Sequence, residues 1–186
     1  MDSYAVAIIP GDGIGVEVVD AAFPVVEAAA ADAGFEVEPT RFDWGTEYYL
    51  DHGEMMPDDG LDRLREFDSI FLGAVGHPEV PDHVTLHGLL LPIRKGLDQY
   101  VCKRPNVLFE GIESPLQGYG AGDIDFVVYR ENTEGEYASV GGREHRGFEH
   151  ETAVQSALFT RRGTERIVRA AFEAAAEREG HLTSIT

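Results

Sequence analysis

Three arginines stand out as candidate ligand-binding residues because the chain has so little positive charge. Its 186 residues contain 34 aspartates and glutamates against 15 lysines and arginines, for a formal net charge of −19. Arg94 closes a leucine-rich segment, Arg104 precedes a proline, and Arg130 directly follows an apolar run. A guanidinium pairs with a carboxylate through two parallel hydrogen bonds, so three converging arginines would suit a small di- or tricarboxylate. The alternative for each arginine is a surface ion pair, which is the more common arrangement.

Tyr137 is the candidate for proton transfer. It ends the sequence Glu134-Gly135-Glu136-Tyr137, and a phenol held near cationic groups can give up and recover a proton. The alternative is a tyrosine packed at a strand edge. The seven histidines show no metal-ligand spacing, and the single cysteine, Cys102, excludes an intrachain disulfide and a cysteine-cluster metal site.

A glycine-rich turn, Gly11-Asp12-Gly13-Ile14-Gly15, follows the apolar run from Tyr4 to Ile9. The amides of such a strand-to-helix turn can bind a phosphate or a dinucleotide. The turn matches neither a Rossmann fingerprint, whose third glycine would stand at Val16, nor a P-loop, which needs a Lys-Ser/Thr pair. Its spacing leaves a ligand loop and a plain tight connection equally open.

The elements that position these residues change character near residue 98. Before it, the sequence predicts strands at 4–9, 35–40 and 69–72. A first helix is predicted from the apolar positions Val19, Ala22, Val26, Ala29 and Ala33. Further helical segments that alternate with the strands are predicted near 47–52, 60–66 and 86–95. This alternation is typical of a parallel α/β sheet. Beyond residue 98, the sequence predicts an extended region, a buried strand at 124–129, a glycine-rich polar stretch and a final helix with Ile167, Val168, Ala171, Phe172 and Ala175 on one face.

Charge and hydropathy exclude several classes of function. A strongly negative chain without a basic patch repels phosphate backbones and anionic lipids, so we expect no nucleic-acid partner and no membrane partner. No apolar run reaches the ~18 residues of a membrane helix, and the basic start of a signal peptide is missing, which predicts a cytoplasmic location. Only Lys95 and Lys103 are lysines, and such an acidic, lysine-poor composition suits a cytoplasm of high salt, as in a halophile.

Four motifs resemble, in order, those of the β-decarboxylating dehydrogenases, the isocitrate/isopropylmalate dehydrogenase family. They are Ile9 to Gly15, Leu90 to Lys95, Lys103-Arg104-Pro105, and Tyr129 to Tyr137. The segments Gly76 to Val84 and Phe159 to Gly163 are most similar to the tartrate/D-malate branch of that family. The resemblance covers the whole chain and implies the N-terminal portion of the family's α/β fold. Residues 1–98 would begin the large domain, with an incomplete sheet, and 99–186 would form most of the smaller domain.

The resemblance also implies an activity, which is NAD- or NADP-dependent oxidative decarboxylation of a malate-like 2-hydroxy dicarboxylate with Mg²⁺ or Mn²⁺. Arg94, Arg104 and Arg130 match the substrate-carboxylate arginines of the family, and Tyr137 matches the tyrosine that protonates the enolate. Thr85 and His87 would help select the substrate, and Ile14 would lie beside the nicotinamide.

Assembly follows from the same resemblance. The stretch 135–150 is similar to an arm through which two subunits form a homodimer. The family's catalytic lysine, metal-binding aspartates and adenosine loop correspond to positions after Thr186, so we expect the 186-residue chain alone to be inactive and to contribute no metal ligand. Two alternatives stay open. One is a 3-isopropylmalate dehydrogenase whose Leu89, Leu90 and Leu91 line an apolar pocket, and the other is a non-catalytic fragment or carboxylate-binding regulatory subunit.

Overall fold

The chain forms two compact units, Met1–Leu97 and Asp98–Thr186, in a computed structural model that describes residues 2–185. The first unit contains a three-stranded sheet in the order β2-β1-β3, and β1 pairs with both neighbours in parallel. Its elements are β1 (Asp2–Gly11), α1 (Ile14–Ala33), β2 (Phe35–Arg41), α2 (Thr46–His52), α3 (Gly60–Leu64), β3 (Ser69–Ala74), α4 (Asp82–Thr85), a π-helical turn (Leu86–Leu90) and α5 (Leu91–Gly96). The predicted parallel α/β sheet is confirmed.

The central strand β1 divides the core of the first unit into two clusters, because successive side chains of a strand point to opposite faces. Val6 and Ile8 pack against α1 through Val19 and Phe23. Ala7 and Ile9 pack on the other side with a larger cluster that contains Trp44, Met55, Leu64, Leu89 and Ile93. Ala29 and Ala33 were predicted on the buried face of α1 but are exposed, because the buried stripe continues from Phe23 to Ala30.

Two of the three leucines predicted to line an isopropylmalate pocket, Leu89, Leu90 and Leu91, are buried. Leu89 is fully buried in the larger cluster and Leu91 is 7% exposed, because one face of the π-helical turn and of α5 completes the core. Only Leu90 is half-buried. These leucines therefore serve packing within the first unit.

The glycines of the turn after β1 are needed for close backbone packing. A Cβ on Gly15 would lie 2.3 Å from the carbonyl oxygen of Pro10 and 2.5 Å from the amide nitrogen of Ala74, and one on Gly11 would lie 2.1 Å from the carbonyl oxygen of Ala74. The start of α1 can therefore approach the end of β3 only with glycine at these positions. Gly13 is not needed for close packing, because a Cβ there would meet no atom within 4 Å.

Asp12 holds this turn to two further loops. It is 6% exposed, and its carboxylate accepts hydrogen bonds from the Thr46 amide (2.6 Å), the Thr46 hydroxyl (2.7 Å) and the Gly76 amide (2.8 Å). Gly45, the N-cap of α2, has no side chain to satisfy the first amides of that helix, so Asp12 does so from another segment. The loops that follow β1, β2 and β3 are thus joined at one carboxylate.

The second unit contains two antiparallel strand pairs and one helix. β4 (Val101–Val107) pairs with β5 (Asp125–Glu131), β6 (Gly135–Glu144) pairs with β7 (Thr152–Leu158), and α6 spans Arg161–Ala176. The strand predicted at 124–129 is confirmed as β5, but its predicted burial is wrong, because within residues 2–185 β5 pairs only with β4 and its Phe126 and Val128 are 52% and 41% exposed. Arg130 lies within β5, and not after a buried strand of a parallel sheet.

The face of α6 that packs against β5 also differs from the predicted one. Its inward positions run from Gly163 through Arg166, Ile167, Ala170, Ala171, Ala174 and Ala175. Val168 and Phe172 were predicted on this face but are 45% and 62% exposed. Small alanines, which bring the helix close to the strand, define the stripe in place of the larger apolar residues.

The stretch 135–150 forms most of a long hairpin, which we call the arm (residues 135–158). Its second strand, β7, was not predicted, because Thr152–Leu158 carries no strong alternation of apolar and polar residues. All seven residues of β7 are exposed. A two-stranded hairpin with both faces open has little stability by itself in water.

We expect Asp12→Ala to destabilise the first unit strongly. The substitution leaves three donors in a buried site without an acceptor, which costs about 3–5 kcal/mol of the free energy of unfolding. Chemical denaturation followed by the fluorescence of Trp44 measures this unit specifically, since Trp44 is the chain's single tryptophan and is 2% exposed. Asp20→Ala is the control. It removes an exposed ion pair with Arg41 and should cost about 0–1 kcal/mol. Equal effects of the two substitutions would contradict the role of Asp12.

Candidate active site

Arg104 and Arg130 lie on the same face of the β4–β5 pair. In the antiparallel register Cys102 is opposite Arg130 and Arg104 is opposite Val128, so the two arginines are diagonal neighbours. Their face is the open one, because Val127, Tyr129 and Glu131 occupy the other face, towards α6, and are half-buried. The sheet thus presents two guanidinium groups side by side on a surface that α6 does not cover.

Tyr137 completes this group from β6. The Arg130 guanidinium carbon lies 5.3 Å from the centroid of the Tyr137 ring, which is within cation–π distance. One terminal nitrogen of Arg130 donates to the Asn132 side-chain oxygen at 3.1 Å, whereas its Nε is buried without a hydrogen-bond partner in residues 2–185. Within the second unit, the structure therefore places Tyr137 against Arg130, and Arg104 is the diagonal neighbour of Arg130.

The residues between Arg130 and Tyr137 build the turn that separates them. The Glu131 carboxylate accepts hydrogen bonds from the Thr133 amide, the Thr133 hydroxyl and the Glu134 amide, at 2.6–2.9 Å. The Glu134 carboxylate accepts from the amide and hydroxyl of Thr160, the N-cap of α6. Asn132, 4% exposed, donates to the carbonyl oxygen of Gln99.

These contacts determine the protonation of Glu131. Burial raises the pKa of its carboxyl, but the hydrogen bonds from Thr133, Glu134 and Asn132 together lower the pKa by more than burial raises it. The resulting pKa lies below the ordinary value of 4.5. Arg166 of α6, whose side chain is 17% exposed, is 3.5 Å from the same carboxylate. The turn is therefore held by an ionised glutamate at neutral pH.

The other predicted site residues lie in the first unit. Ile14, the first residue of α1, is 68% exposed. His87 is exposed on the π-helical turn, and Arg94 is half-buried in α5. Thr85 is 2% exposed and its hydroxyl donates to the Asp82 carbonyl, so His87, and not Thr85, presents its side chain at the surface. The ligand-binding roles of all these residues stay predictions.

The candidate arginines differ from nearly all the other arginines because they form no ion pair with a carboxylate of residues 2–185. Of thirteen arginines, nine pair with a carboxylate. Within residues 2–185, the four without such a partner are Arg94, Arg104, Arg130 and the exposed Arg146 of the arm. Arg104 donates from Nε to the Cys102 sulfur at 3.3 Å. The predicted alternative of surface ion pairs thus does not describe the three candidates.

Residues 2–185 contain neither a cluster of metal ligands nor a membrane-spanning helix. No group of three or more histidine, cysteine, aspartate or glutamate side chains is placed to hold a metal ion. No helix in this part of the chain is long and apolar enough to cross a bilayer.

Sequence reasoning missed two residues that hold loops beside candidate residues, Asp12 in the first unit and Arg166 in the second. Asp12 stood within the glycine turn, where an aspartate between glycines indicates a possible side-chain acceptor for turn amides. Arg166 carried a weaker signal, since it is an arginine on the face of α6 that also contains Ala170 and Ala174. Both are recognised only by the partners that the fold brings to them.

Comparison with known protein families identifies the class of protein that has these motifs, this parallel sheet and this arginine–tyrosine group. The sequence model of the isocitrate/isopropylmalate dehydrogenase family matches residues 5–186. The chain therefore belongs to the isocitrate/isopropylmalate dehydrogenase family, and its fold is confirmed as that of this family. It is 31% identical to the solved isocitrate dehydrogenase from Methylococcus capsulatus, with a TM-score of 0.76 over 94% of this chain and 48% of that one.

Curated relatives that the chain resembles include members of the tartrate and D-malate branch. It is 51% identical over its full length to a probable tartrate dehydrogenase/decarboxylase from Agrobacterium vitis. It is 52% identical to the decarboxylating D-malate dehydrogenase of Escherichia coli, again over its full length. In both cases it spans 52% of the relative, so the chain has about half the length of the curated relatives it matches.

We expect the second unit to lose stability in acid through Glu131. Because the pKa of this carboxyl is lowered on folding, its stabilising effect is fully present above pH 4.5 and is lost as the pH falls through the lower, folded value. Glu131→Gln should therefore weaken the fall in stability between pH 5 and pH 3, measured by hydrogen exchange of β4 and β5 amides. Glu113→Gln, at an exposed position of the second unit, should keep the wild-type pH dependence. An unchanged profile in Glu131→Gln would contradict this assignment.

Proposed function

We propose that this chain supplies the substrate-binding part of an NAD- or NADP-dependent dehydrogenase that oxidatively decarboxylates a malate-like 2-hydroxy dicarboxylate. The observation that carries the proposal is that Arg94, Arg104 and Arg130 have no carboxylate partner in residues 2–185, although the chain has 34 acidic residues. An acidic chain repels a dianionic substrate over most of its surface. Guanidinium groups without an internal carboxylate partner are the groups that can bind one.

Substrate specificity of the tartrate/D-malate type is supported by the names of the relatives. Both relatives quoted above are named as decarboxylases of tartrate or D-malate. The burial of Leu89 and Leu91 removes the sequence argument for a branched apolar substituent, as in 3-isopropylmalate. A short, polar 2-hydroxy acid is therefore the proposed substrate.

The arginines of the second unit would orient this substrate. Arg104 and Arg130, on one open face of β4–β5, can bind carboxylate oxygens by paired hydrogen bonds. The buried Nε of Arg130 has no partner in the described chain and would gain one from such a carboxylate, which removes the cost of an unsatisfied donor. Arg94, in the first unit, is kept as a substrate-carboxylate arginine on the family resemblance alone. Thr85 and His87 would help to discriminate between substrates, as the family resemblance implies.

Tyr137 is the proposed proton-transfer residue. In this reaction the 2-hydroxyl loses its proton, the carbinol carbon loses hydride, and the β-carboxylate leaves as carbon dioxide, after which the remaining carbon must be protonated. The Tyr137 ring centroid lies 5.3 Å from the guanidinium carbon of Arg130, so its phenol would be held beside the arginine that binds the substrate and could deliver that proton.

Ile14 is the proposed contact for the nicotinamide. It is an exposed apolar residue at the start of α1, and the neighbouring Gly13 has open space around it, so a flat ring can lie against this turn. When bound, NAD or NADP supplies the acceptor for the hydride. The described residues do not fit Mg²⁺ or Mn²⁺, because they form no cluster of ligands. We propose that metal ligands come from the part of the relatives that has no counterpart in residues 1–186.

The arm is the proposed contact between two subunits of a homodimer. It is an exposed two-stranded hairpin whose Val140, Phe148 and Val154 are 44%, 65% and 58% exposed. Pairing with a second hairpin would bury this apolar surface and add neighbours to a sheet that has too few strands to be stable alone.

We expect dehydrogenase activity when the chain is joined to the corresponding C-terminal half of the Escherichia coli D-malate dehydrogenase. NADH formation with D-malate and Mn²⁺ should fall at least about 100-fold in Arg130→Ala and in Tyr137→Phe, since each removes a group needed for binding or proton transfer. Arg161→Ala, which alters an arginine with a 95% exposed side chain, should keep the rate of the parent. The 186-residue chain alone should give no turnover.

Three results would contradict this proposal. They are full activity of both site variants, turnover by the isolated chain, and a folded fusion that is inactive with D-malate, tartrate and 3-isopropylmalate. In the last case, a melting temperature of the isolated chain that rises with D-malate but not with NAD would favour the carboxylate-binding regulatory subunit.

We expect Val154→Asp in the arm to weaken dimerisation of the same fusion protein. The substitution places a charge on an apolar surface that the second subunit would cover, where burial of an unpaired carboxylate is costly. Size-exclusion chromatography with light scattering measures the fraction of dimer. Val25→Asp, at a 67% exposed position of α1, is the control. A monomeric parent, or a Val154→Asp variant as dimeric as the parent, would contradict the role of the arm.

A further inference from the structure

We propose that Arg166 is a positioning residue that sets the geometry of the Arg130–Tyr137 pair from the opposite side of the β4–β5 sheet. Arg166 lies on α6, on the side of Glu131, whereas Arg130 points to the open face. It does not touch the proposed substrate site. The inference rests on the proposed function of Arg130 and Tyr137.

Arg166 makes more side-chain hydrogen bonds than any exposed arginine of the same helix. Its terminal nitrogens donate to both carboxylate oxygens of Asp98 at 2.8 and 2.9 Å and to the Thr133 hydroxyl at 2.6 Å. Its guanidinium carbon lies 4.4 Å from the centroid of the Tyr100 ring. By contrast, Arg169, one turn later, pairs only with Glu165 and has a side chain that is 65% exposed.

The bond to Thr133 reaches the turn between the two proposed site residues. The Thr133 hydroxyl accepts from Arg166 and donates to Glu131 at 2.7 Å, and Glu131 in turn accepts from the Thr133 and Glu134 amides. These bonds fix the backbone from 131 to 134. Because β5 carries Arg130 into this turn and β6 carries Tyr137 out of it, the turn sets how far the guanidinium lies from the ring.

Glu134 provides a second attachment of the turn to α6, which makes the position of the helix part of the site geometry. Its carboxylate binds the N-cap Thr160, and a Cβ on Gly163 would lie 2.2 Å from one of its oxygens. Glu134 thus fixes the turn at the start of α6, and Arg166 fixes it one turn further along. Loss of Arg166 leaves one attachment, so we expect the turn to rotate and not to unfold.

The experiment is aromatic ¹³C NMR of the 186-residue chain, with the Tyr137 ring signals assigned from their loss in Tyr137→Phe. Arg130→Gln gives the signal position without the guanidinium. In Arg166→Gln we expect the Tyr137 signals to shift towards that position, while amide exchange in β4 and β5 keeps its wild-type protection. Arg169→Gln should leave the Tyr137 signals unchanged.

Thr133 supplies a second pair of variants in case Arg166→Gln does not fold. Thr133→Val removes the acceptor for Arg166 and should produce the same shift, whereas Thr133→Ser keeps the hydroxyl and should restore the wild-type signals. Tyr137 signals at wild-type positions in both Arg166→Gln and Thr133→Val would overturn the proposal, even with a lowered melting temperature. This outcome is distinct from failure of the proposed function, which is measured by turnover of Arg130→Ala and Tyr137→Phe.

Discussion

A single buried carboxylate joins the three loops on which the first unit depends. Asp12 takes hydrogen bonds from Thr46 and Gly76 at 2.6–2.8 Å, and its own amide donates to the Ala74 carbonyl. The ends of β1 and β3 and the start of α2 are thereby fixed with respect to each other. Ile14 begins α1 two residues after Asp12, so the exposed start of this helix, the proposed nicotinamide contact, is positioned by this carboxylate. The close approach that Gly11, Gly15 and Gly45 permit is what allows Asp12 to be buried there.

In the second unit, too, carboxylates that accept hydrogen bonds from backbone amides and hydroxyls hold a turn in place, and here an arginine assists them. Glu131 and Glu134 act within the turn as acceptors for amides and hydroxyls, and Arg166 binds the turn from α6. Within the segment from Tyr129 to Tyr137, Glu131 and Glu134 hold the backbone of the turn, whereas Arg130 and Tyr137 are the residues proposed to meet the substrate. The motif therefore divides into two proposed site residues and the glutamates that keep them apart.

The sequence predicted the first unit well because its strands and helices carry strong, regular apolar patterns. The parallel sheet and the helix that ends at Gly34 follow from local residues, and Gly34 has the left-handed conformation expected of that position. The second unit was harder to predict. β5 is apolar enough to suggest a buried strand, yet Phe126 and Val128 are exposed because no other layer covers that face of the sheet in residues 98–185. β7 has no pattern at all, since neither of its faces contributes to a core. The scarcity of positive charge, the place of Arg130 after an apolar run and the family resemblance singled out Arg130 and Tyr137, but no local pattern reveals the contacts from α6 that hold the turn between them.

The regular register of β4 and β5 has a consequence for how this surface can change. The two strands pair residue by residue from Val101 opposite Glu131 to Val107 opposite Asp125, without a bulge. Which side chains share the open face is therefore decided by parity along each strand. Inserting one residue before Cys102 would turn Arg104 towards α6 and bring a neighbouring position to the open face in its place. Substitutions at 102, 104 or 106 can alter the charge and shape of this face one side chain at a time, whereas a change in strand length exchanges all of them at once. The side chains of this face can thus be exchanged singly by substitution, whereas an insertion in the loop between the strands leaves the register unchanged.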